Sequence, residues 1–440
     1  MVVLIKAAQL LCSLSILVIL HEFGHYLAAR AFGVRVEKFY LFFNPWFTLF
    51  KKKIGDTEWG IGWLPLGGYA KIAGMVDESM DTGGLEKPPQ PYEFRAKAAW
   101  KRLIIILGGI IMNLITAWVI YSCLIWSNGE SYLPTRELRY GIVADSLLQD
   151  IGFKTGDKLL YVNGKEYENY ADFSIASIVK PDAVVTVERD GKEVDVRMDK
   201  AYLAELLKRA PLYEPRIPLT IGTVRPNSPA SAAGLMVGDS LVSINDSAAF
   251  FFDELKHSIR THRDDTITVG VMRSNTLATS RVAVPDSCII GIAPETDLSG
   301  VFHFASKEYG FFASFVAGAQ RFRSMLSNYW NSLKLLFVPE AKAHKSVGGF
   351  ISIGKIFPST WDWNSFWSLT AFLSLMLAVM NVLPIPALDG GHAILILIEL
   401  LTGKKLGTRV LITLQLVGMC LLFLLLIYAN VNDVLRLFNP

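Results

Sequence analysis

Four stretches of the chain are apolar almost without interruption, at residues 3–30, 103–126, 365–388 and 408–429. Each reaches the roughly 20 residues that a helix needs to cross a bilayer. Between the second and third the pattern changes to short alternating runs. "KLLYVNG" (158–164), "AVVTVERDGKEVDVRM" (183–198), "SLVSIND" (240–246) and "TITVGVMRS" (266–274) read as half-buried strands, and "RDGKE" inside the second run is a hairpin turn signal. Over 307–337 the period becomes helical. Phe311, Phe312, Phe315, Val316, Ala319, Phe322, Leu326, Tyr329, Trp330 and Leu333 share a face, while Arg321, Arg323 and Lys334 interrupt the run. The spacing predicts an amphipathic helix lying on the membrane or on the outer domains, not a fifth span. "STWDWNSFW" (359–367) then supplies aromatic anchors at the outer interface.

The strand-rich segment contains a repeat. "GFKTGDKLLYVNG" from Gly152 aligns with "GLMVGDSLVSIND" from Gly234 at one offset, matching Gly156 to Gly238, Asp157 to Asp239, Leu159 to Leu241, Val162 to Ile244 and Asn163 to Asn245. A constant offset over that many positions marks a duplicated domain. The run from Pro226 to Asn245, "PNSPASAAGLMVGDSLVSIN", resembles a PDZ domain of the bacterial type, and the first copy is a more divergent version. Domains of that type can take an extended peptide as an added strand. The other reading of the pair is that of inert spacers.

Composition agrees with a mixed architecture. The chain of 440 residues is 52% hydrophobic, too high for a purely soluble protein and too low for one that is all membrane. A formal net charge of +3 gives no reason to expect nucleic acid. The four cysteines, Cys12, Cys123, Cys288 and Cys420, are far apart and form neither a CxxC pair nor a disulfide framework. The first apolar run is too long for a signal peptide and has no convincing cleavage site. Basic residues orient the spans. Arg30, Arg35, Lys38 and Lys51–Lys53 follow span 1, Arg95, Lys97, Lys101 and Arg102 precede span 2, and Lys404, Lys405 and Arg409 lie between spans 3 and 4. Both loops are therefore expected in the cytoplasm, with both termini and the 127–360 segment outside.

The chemistry sits where an apolar helix should have none. Residues 17–30 read "LVILHEFGHYLAAR". Charged groups at mid-bilayer cost on the order of 2.5–3.5 kcal/mol each on insertion scales, so polar groups there point to function. His21 and His25 are four apart and share one helix face, and Glu22 lies beside them. This is the H-E-x-x-H pattern of two zinc ligands and a general base. A catalytic zinc takes three protein ligands and keeps a fourth position for water. Asp389, His392 and Glu399 are candidates for the third. Asp389 is preferred, because Pro384 and Pro386 in "NVLPIPALDGGH" (381–392) break the helix and Gly390–Gly391 allow close backbone approach. Irregular backbone at membrane depth is tolerated only against protein or a water-filled cavity. His392 reads as a supporting or merely polar group, and Glu399 as facing cytoplasmic water.

With HEFGH in the first span, LDGG in the third and a PDZ pair between spans 2 and 3, nearly the whole chain resembles the site-2 protease family of intramembrane metalloproteases. The resemblance implies that His21, His25 and Asp389 bind Zn2+, that Glu22 activates water, and that Asn381 holds the substrate backbone. "GIGWLPLGGYAKIAG" (60–74) resembles the family's membrane-reentrant β-loop. An edge strand there, with Gly60, Ile61, Gly62, Gly67 and Gly68, would hold an unwound substrate extended; a plain cytoplasmic hairpin is the other reading.

The expected fold is a multi-pass α-helical membrane protein with four transmembrane helices, a membrane-reentrant β-loop and two inserted PDZ-like α+β domains. Its expected divisions are 1–126 for the first two spans and the β-loop, 127–210 and 211–298 for the PDZ-like domains, 299–362 for an amphipathic helical linker, and 363–440 for the last two spans. The implied substrate is a single-span membrane protein such as a pre-trimmed anti-sigma factor, with leftover signal peptides as a second class, cleaved in the bacterial cytoplasmic (inner) membrane. Two other functions fit parts of the pattern. A PDZ-bearing receptor or chaperone with structural zinc would need a fourth ligand, which the motif lacks. A metal transporter would need carboxylates or histidines along a path, and spans 2 and 4 supply none.

Overall fold

The computed structural model describes all residues except 76–87, 180, 181, 208, 210, 296–299, 340–347, 406, 439 and 440. It divides into two compact units, one of Met1–Gly129, Glu308–Leu333 and Ala343–Pro440, the other of Glu130–Lys307 and Lys334–Lys342.

The first unit is built on helices α1 (Val2–Ala31), α2 (Ala99–Asn128), α3 (Phe311–Lys334), α4 (Trp363–Val382), α5 (Asp389–Thr402) and α6 (Thr408–Phe438). Among the described residues, α1, α2, α4 and the Val410–Leu435 part of α6 are long and apolar enough to cross a membrane. The third span is shorter than expected. It ends at Val382 rather than 388, because Pro384 and Pro386 cannot continue it, and the separate 14-residue α5 begins at Asp389. A Cβ on Gly390 would overlap the carbonyls of Val382 and Leu383, so glycine lets the broken segment fold back on the first turn of α5.

In lipid, helices associate through close packing and hydrogen bonds, since apolar side chains gain little by leaving lipid for one another. Helices α1 and α2 meet at Gly24 and Gly108, where either Cβ would strike the other backbone. Buried polar side chains tie the remaining contacts: Gln9 donates to the Pro358 carbonyl (3.0 Å), Thr370 to Ser13 Oγ (2.9 Å) and Ser374 to the Asn113 carbonyl (2.8 Å). Two expectations change here. Much of the apolar face of α3 is taken up by α2 and α4, with Phe322, Met325, Leu326, Tyr329 and Leu333 against Ala117, Tyr121, Ala371, Leu375 and Val379. Phe311, Phe312 and Val316 near its start and Trp330 near its end stay exposed. Glu399 does not face water. It accepts from Arg102 Nη2 at 2.5 Å, both side chains being about nine-tenths buried, because the first turn of α2 packs on α5 and a buried carboxylate needs its cation.

Strands β1 (Val36–Ile54) and β2 (Thr57–Ile72) each bend, β1 with Phe42 at φ 67° and Trp46 at φ 70° and β2 with Gly67 at φ 145°. Their halves form a small mixed sheet in the order 48–54, 57–62, 36–41, 68–72, in which the outer pairs are antiparallel (Lys51↔Gly60 and Tyr40↔Tyr69) and the central pair runs parallel (Lys38↔Glu58 to Leu41↔Ile61).

The second unit holds two sheets of the same topology. β3 (Lys158–Val162), β4 (Lys165–Glu166), β5 (Val184–Arg189) and β6 (Lys192–Arg197) pair in the order β4-β3-β5-β6. β7 (Ser240–Ile244), β8 (Ser247–Ala248), β9 (Thr266–Arg273) and β10 (Thr276–Ala283) pair as β8-β7-β9-β10. Each sheet has its own core, one around Phe153, Phe173 and Tyr213, the other around Leu255, Ile267 and Val269. The repeated Gly-Asp has one job in both copies. Asp157 accepts two hydrogen bonds from Arg189 (2.8 and 2.7 Å), which also donates to the Gly152 carbonyl (2.8 Å). Asp239 does the same with Arg273 (2.7 Å twice) and the Gly234 carbonyl (2.7 Å). The first and last strands of this unit, Glu130–Tyr132 and Ala305–Lys307, pair antiparallel.

The hydrogen bonds from Arg273, with its charge, hold the Asp239 carboxyl below its ordinary range. The group thus favours the folded state above the unfolded-state value of about 3.9, and this contribution fades as pH falls through the lower folded value. Asp239→Asn leaves Arg273 without its partner and is expected to cost roughly 2–3 kcal/mol locally. The exposed Asp195→Asn control should change stability by less than about 0.5 kcal/mol. Limited proteolysis of both full-length variants, with cuts mapped within 211–298 for Asp239→Asn and within 127–210 for the control, checks this.

Candidate metal centre

His21 and His25 project from one face of α1, and Asp389 opens α5 after the proline-broken segment. Their donor atoms converge. His21 Nε2 and His25 Nε2 are 3.3 Å apart, and Asp389 Oδ2 lies 3.3 Å from the first and 3.4 Å from the second. Zinc bonds of about 2.0–2.1 Å at tetrahedral angles separate neighbouring ligand atoms by about 3.3–3.4 Å. The triangle therefore has the size of one face of a zinc tetrahedron. Asp389 Oδ2 is buried without a hydrogen-bond partner, the condition of a carboxylate oxygen shaped to hold a cation. The chemistry of the donor set, two imidazoles and one carboxylate, suits zinc.

The supports come from α2 at four-residue spacing. The Ile105 carbonyl lies 2.9 Å from His25 Nδ1, so that nitrogen donates and Nε2 is left with its lone pair toward the site. One turn on, Gly109 lies under both rings, where a Cβ would overlap His25 Nε2 and His21. Another turn on, Asn113 Nδ2 is 3.0 Å from His21 Nδ1. Asn381, near the end of α4, places its Nδ2 3.4 Å from His21 Nε2.

A cavity of about 80 Å³ opens beside the triad, lined by Glu22, Tyr69, Ala70, Ile72, Met75, His392 and Gln415. Liquid water takes about 30 Å³ per molecule, so the space fits a few waters or a backbone segment. Among the described residues three His, Cys or carboxylate donors gather at this point and Glu22 lines the cavity beside them, so a zinc ion held there would keep a position for water.

The site residues expected from sequence divide into those brought together and those kept apart. His21, Glu22, His25, Asp389 and Asn381 gather at the site, and His392 lines its cavity. The edge strand 68–72, which begins at Gly68, reaches the cavity through Tyr69, Ala70 and Ile72. Gly67 immediately precedes it, and Gly60, Ile61 and Gly62 do not line the cavity. Gly60 and Ile61 are paired on both sides, by Lys51 and Phe50 and by Tyr40 and Leu41, and Gly62 pairs with Thr48. The backbone of Gly60 and Ile61 is committed inside the sheet, so no added strand can reach those two residues. Sequence reasoning missed Asn113 and Gln415, which are 0% and 2% exposed. Each is an isolated amide in an apolar span, and that oddity was the available signal.

The model of peptidase family M50 matches residues 9–425. A Neisseria meningitidis protein with the provisional name zinc metalloprotease is 31% identical, over 96% of this chain and 97% of that one. The regulator of sigma-E protease RseP of Escherichia coli K12 is 28% identical over 98% of both chains, and the regulator of sigma E protease of Haemophilus influenzae 25% over 97% of both. With that match across nearly the full length and the two-histidine, one-carboxylate site it encloses, the chain belongs to peptidase family M50, the site-2 proteases, and is a zinc-dependent intramembrane metalloprotease.

Proposed function

We propose that this protease cuts a single-span membrane protein of the anti-sigma type, already trimmed outside the membrane, within its transmembrane segment in the bacterial inner membrane. The observation that carries the reading of the site is the convergence of His21 Nε2, His25 Nε2 and Asp389 Oδ2 within 3.4 Å of one another beside Glu22. Zinc held there supplies a Lewis acid that acidifies water and polarises a peptide carbonyl. Glu22 takes the proton from the attacking water and returns it to the leaving amide nitrogen. A membrane helix hides its peptide groups in its own hydrogen bonds, so the substrate must be extended first. Strand 68–72 is the sheet edge at the cavity and suits that task by strand addition, with Asn381 holding the peptide backbone.

The β-loop is proposed to enter the membrane. Trp46, Phe47, Leu49 and Phe50 at its bend are 54–90% exposed, and Lys51–Lys53 follow directly. Aromatic side chains beside lysines suit the boundary between acyl chains and headgroups. The two sheets of the second unit are proposed to be the PDZ-like domains, at 127–210 and 211–298, receiving peptide or protein segments. The amphipathic linker and last spans follow at 299–362 and 363–440. The charge pattern argues for both termini and this unit outside and the active site near the cytoplasmic side, from which water can enter. With three converging donors and an open cavity, the arrangement does not favour a structural zinc in a receptor.

Three outcomes are expected in native membranes. Glu22→Gln keeps zinc and lowers cleavage by about 10²–10⁴-fold, since both histidines and Asp389 remain while the base is lost. Product gels and metal analysis on the same preparation check it. Asp389→Asn lowers zinc content and cleavage together, because a neutral amide is a poor zinc ligand. Full zinc in that variant would remove Asp389 from the ligand set. A cysteine at Lys52 stays shielded from an impermeant thiol reagent in intact cells, whereas one at Asn245 is labelled; the reverse pattern would invert the orientation.

A further inference from the structure

The second nitrogen of each zinc-facing imidazole decides whether the first can bind a metal. A neutral imidazole has one N–H and one lone pair. For His25 the matter is settled by the Ile105 carbonyl, which can only accept, at 2.9 Å from Nδ1. For His21 two amide nitrogens point at the ring: Asn113 Nδ2 at 3.0 Å from Nδ1 and Asn381 Nδ2 at 3.4 Å from Nε2. Both cannot donate to one neutral ring, because one ring nitrogen carries the proton. Asn113 is completely buried, and its Oδ1 has no hydrogen-bond partner. A half-turn of the carboxamide exchanges oxygen and nitrogen with almost no change of shape. Its backbone stays fixed meanwhile, since its carbonyl accepts from Ser374 Oγ at 2.8 Å.

We propose that Asn113 is a positioning residue for zinc: its Oδ1 accepts a hydrogen bond from His21 Nδ1–H and so fixes the tautomer whose Nε2 lone pair faces the metal. The ring keeps one proton throughout; the proton sits on Nδ1 instead of Nε2, and none is gained or lost. With oxygen toward His21, Asn113 does for this ligand what the Ile105 carbonyl does for His25. Residues 105, 109 and 113 of α2 then form one stripe that serves the two histidines of α1: acceptor, floor and acceptor. In the orientation with nitrogen toward His21 the proton is driven to Nε2, where it faces the Asp389 carboxylate 3.3 Å away. Metal loading and amide orientation are thereby coupled, and the metal-free and zinc-bound states differ by a half-turn of one buried side chain.

The inference rests on the assignment of His21, His25 and Asp389 as ligands, which Asp389→Asn tests separately. Its own test is the zinc affinity of the full-length protein in detergent, measured by competition with a chelator, for wild type, Asn113→Leu and Asn113→Asp. Loss of a partner to a ligating histidine typically costs 10–100-fold in metal affinity. Asn113→Leu is similar in shape and has no acceptor, so it should weaken zinc binding by about that factor. Asn113→Asp can accept but carries no amide donor, so it should bind zinc within about threefold of wild type or more tightly, by the same measure of supporting carboxylates. Wild-type affinity in the Leu variant overturns the proposal, as does an equal loss in both variants with helical content intact. Should the Leu variant not fold, the zinc-loaded wild type decides. With 15N-labelled histidine, the His21 signals should show a protonated Nδ1, and an unprotonated Nδ1 overturns the proposal.

Discussion

A carboxylate oxygen buried between two imidazole nitrogens, with no hydrogen bond of its own, is the constraint around which the helical unit is organised. In a low-dielectric interior an ionised carboxylate costs several kcal/mol unless a cation or donors compensate it. Zinc answers that need and sets a length scale as well, because its ligands must stand about 3.3–3.4 Å apart. Asp389 and the histidines are more than 360 residues apart in the chain. Fixing three side chains to that tolerance requires rigid placement of α1 against α2 and of α5 against both.

Glycine and buried amides supply the placement. Gly24 and Gly108 let α1 and α2 touch backbone to backbone, which brings Ile105, Gly109 and Asn113 within reach of the imidazoles. The Ser374 hydroxyl bonded to the Asn113 carbonyl links α4 to the same point, so Asn381 on that helix arrives beside His21. One turn before Ile105, the buried Arg102–Glu399 pair ties α5 to the start of the same helix. Breaking either member of such a pair leaves an uncompensated charge, so the pair resists separation of the two helices even where it adds little to stability. Asp389, at the first residue of α5, inherits that fixed position.

The parts of this arrangement that were legible in the sequence are the local ones. His21, Glu22 and His25 lie within one helical turn and a fraction, and Pro384 and Pro386 announce a break by their covalent geometry alone. The repeat was legible because Gly156–Asp157 and Gly238–Asp239 solve the same turn and pairing problem twice. The pairing of Arg102 with Glu399 was not, being a contact between residues 297 apart, and Glu399 read as an exposed end-of-helix acid. The strand order of the β-loop was hidden too. It depends on positive φ at Phe42 and Trp46, which are not residues that advertise a left-handed backbone. Without those bends Gly60 looks like an edge; with them it lies between two partners and the edge passes to Gly68.

The last helix stands apart in how it is held. Most of the side chains of α6 along its membrane stretch are exposed, and only 11% of its most apolar window is buried. Its attachments include polar and backbone ones. Gly418 lets it pass against the Pro386 carbonyl, and Gln415 reaches the metal cavity. Asp433 accepts from the Gly349 and Ser352 amides (2.9 and 2.8 Å) and from the Ser352 hydroxyl. A helix fixed in this way has its position set at discrete points, not by a continuous packed face. The Gly418 contact bears on the segment that presents Asp389, and Gln415 bears on the cavity where a peptide must lie. Helix α6 is therefore a wall of the active site held at separate points along its length, while α1, α2 and α4 keep the ligands in register.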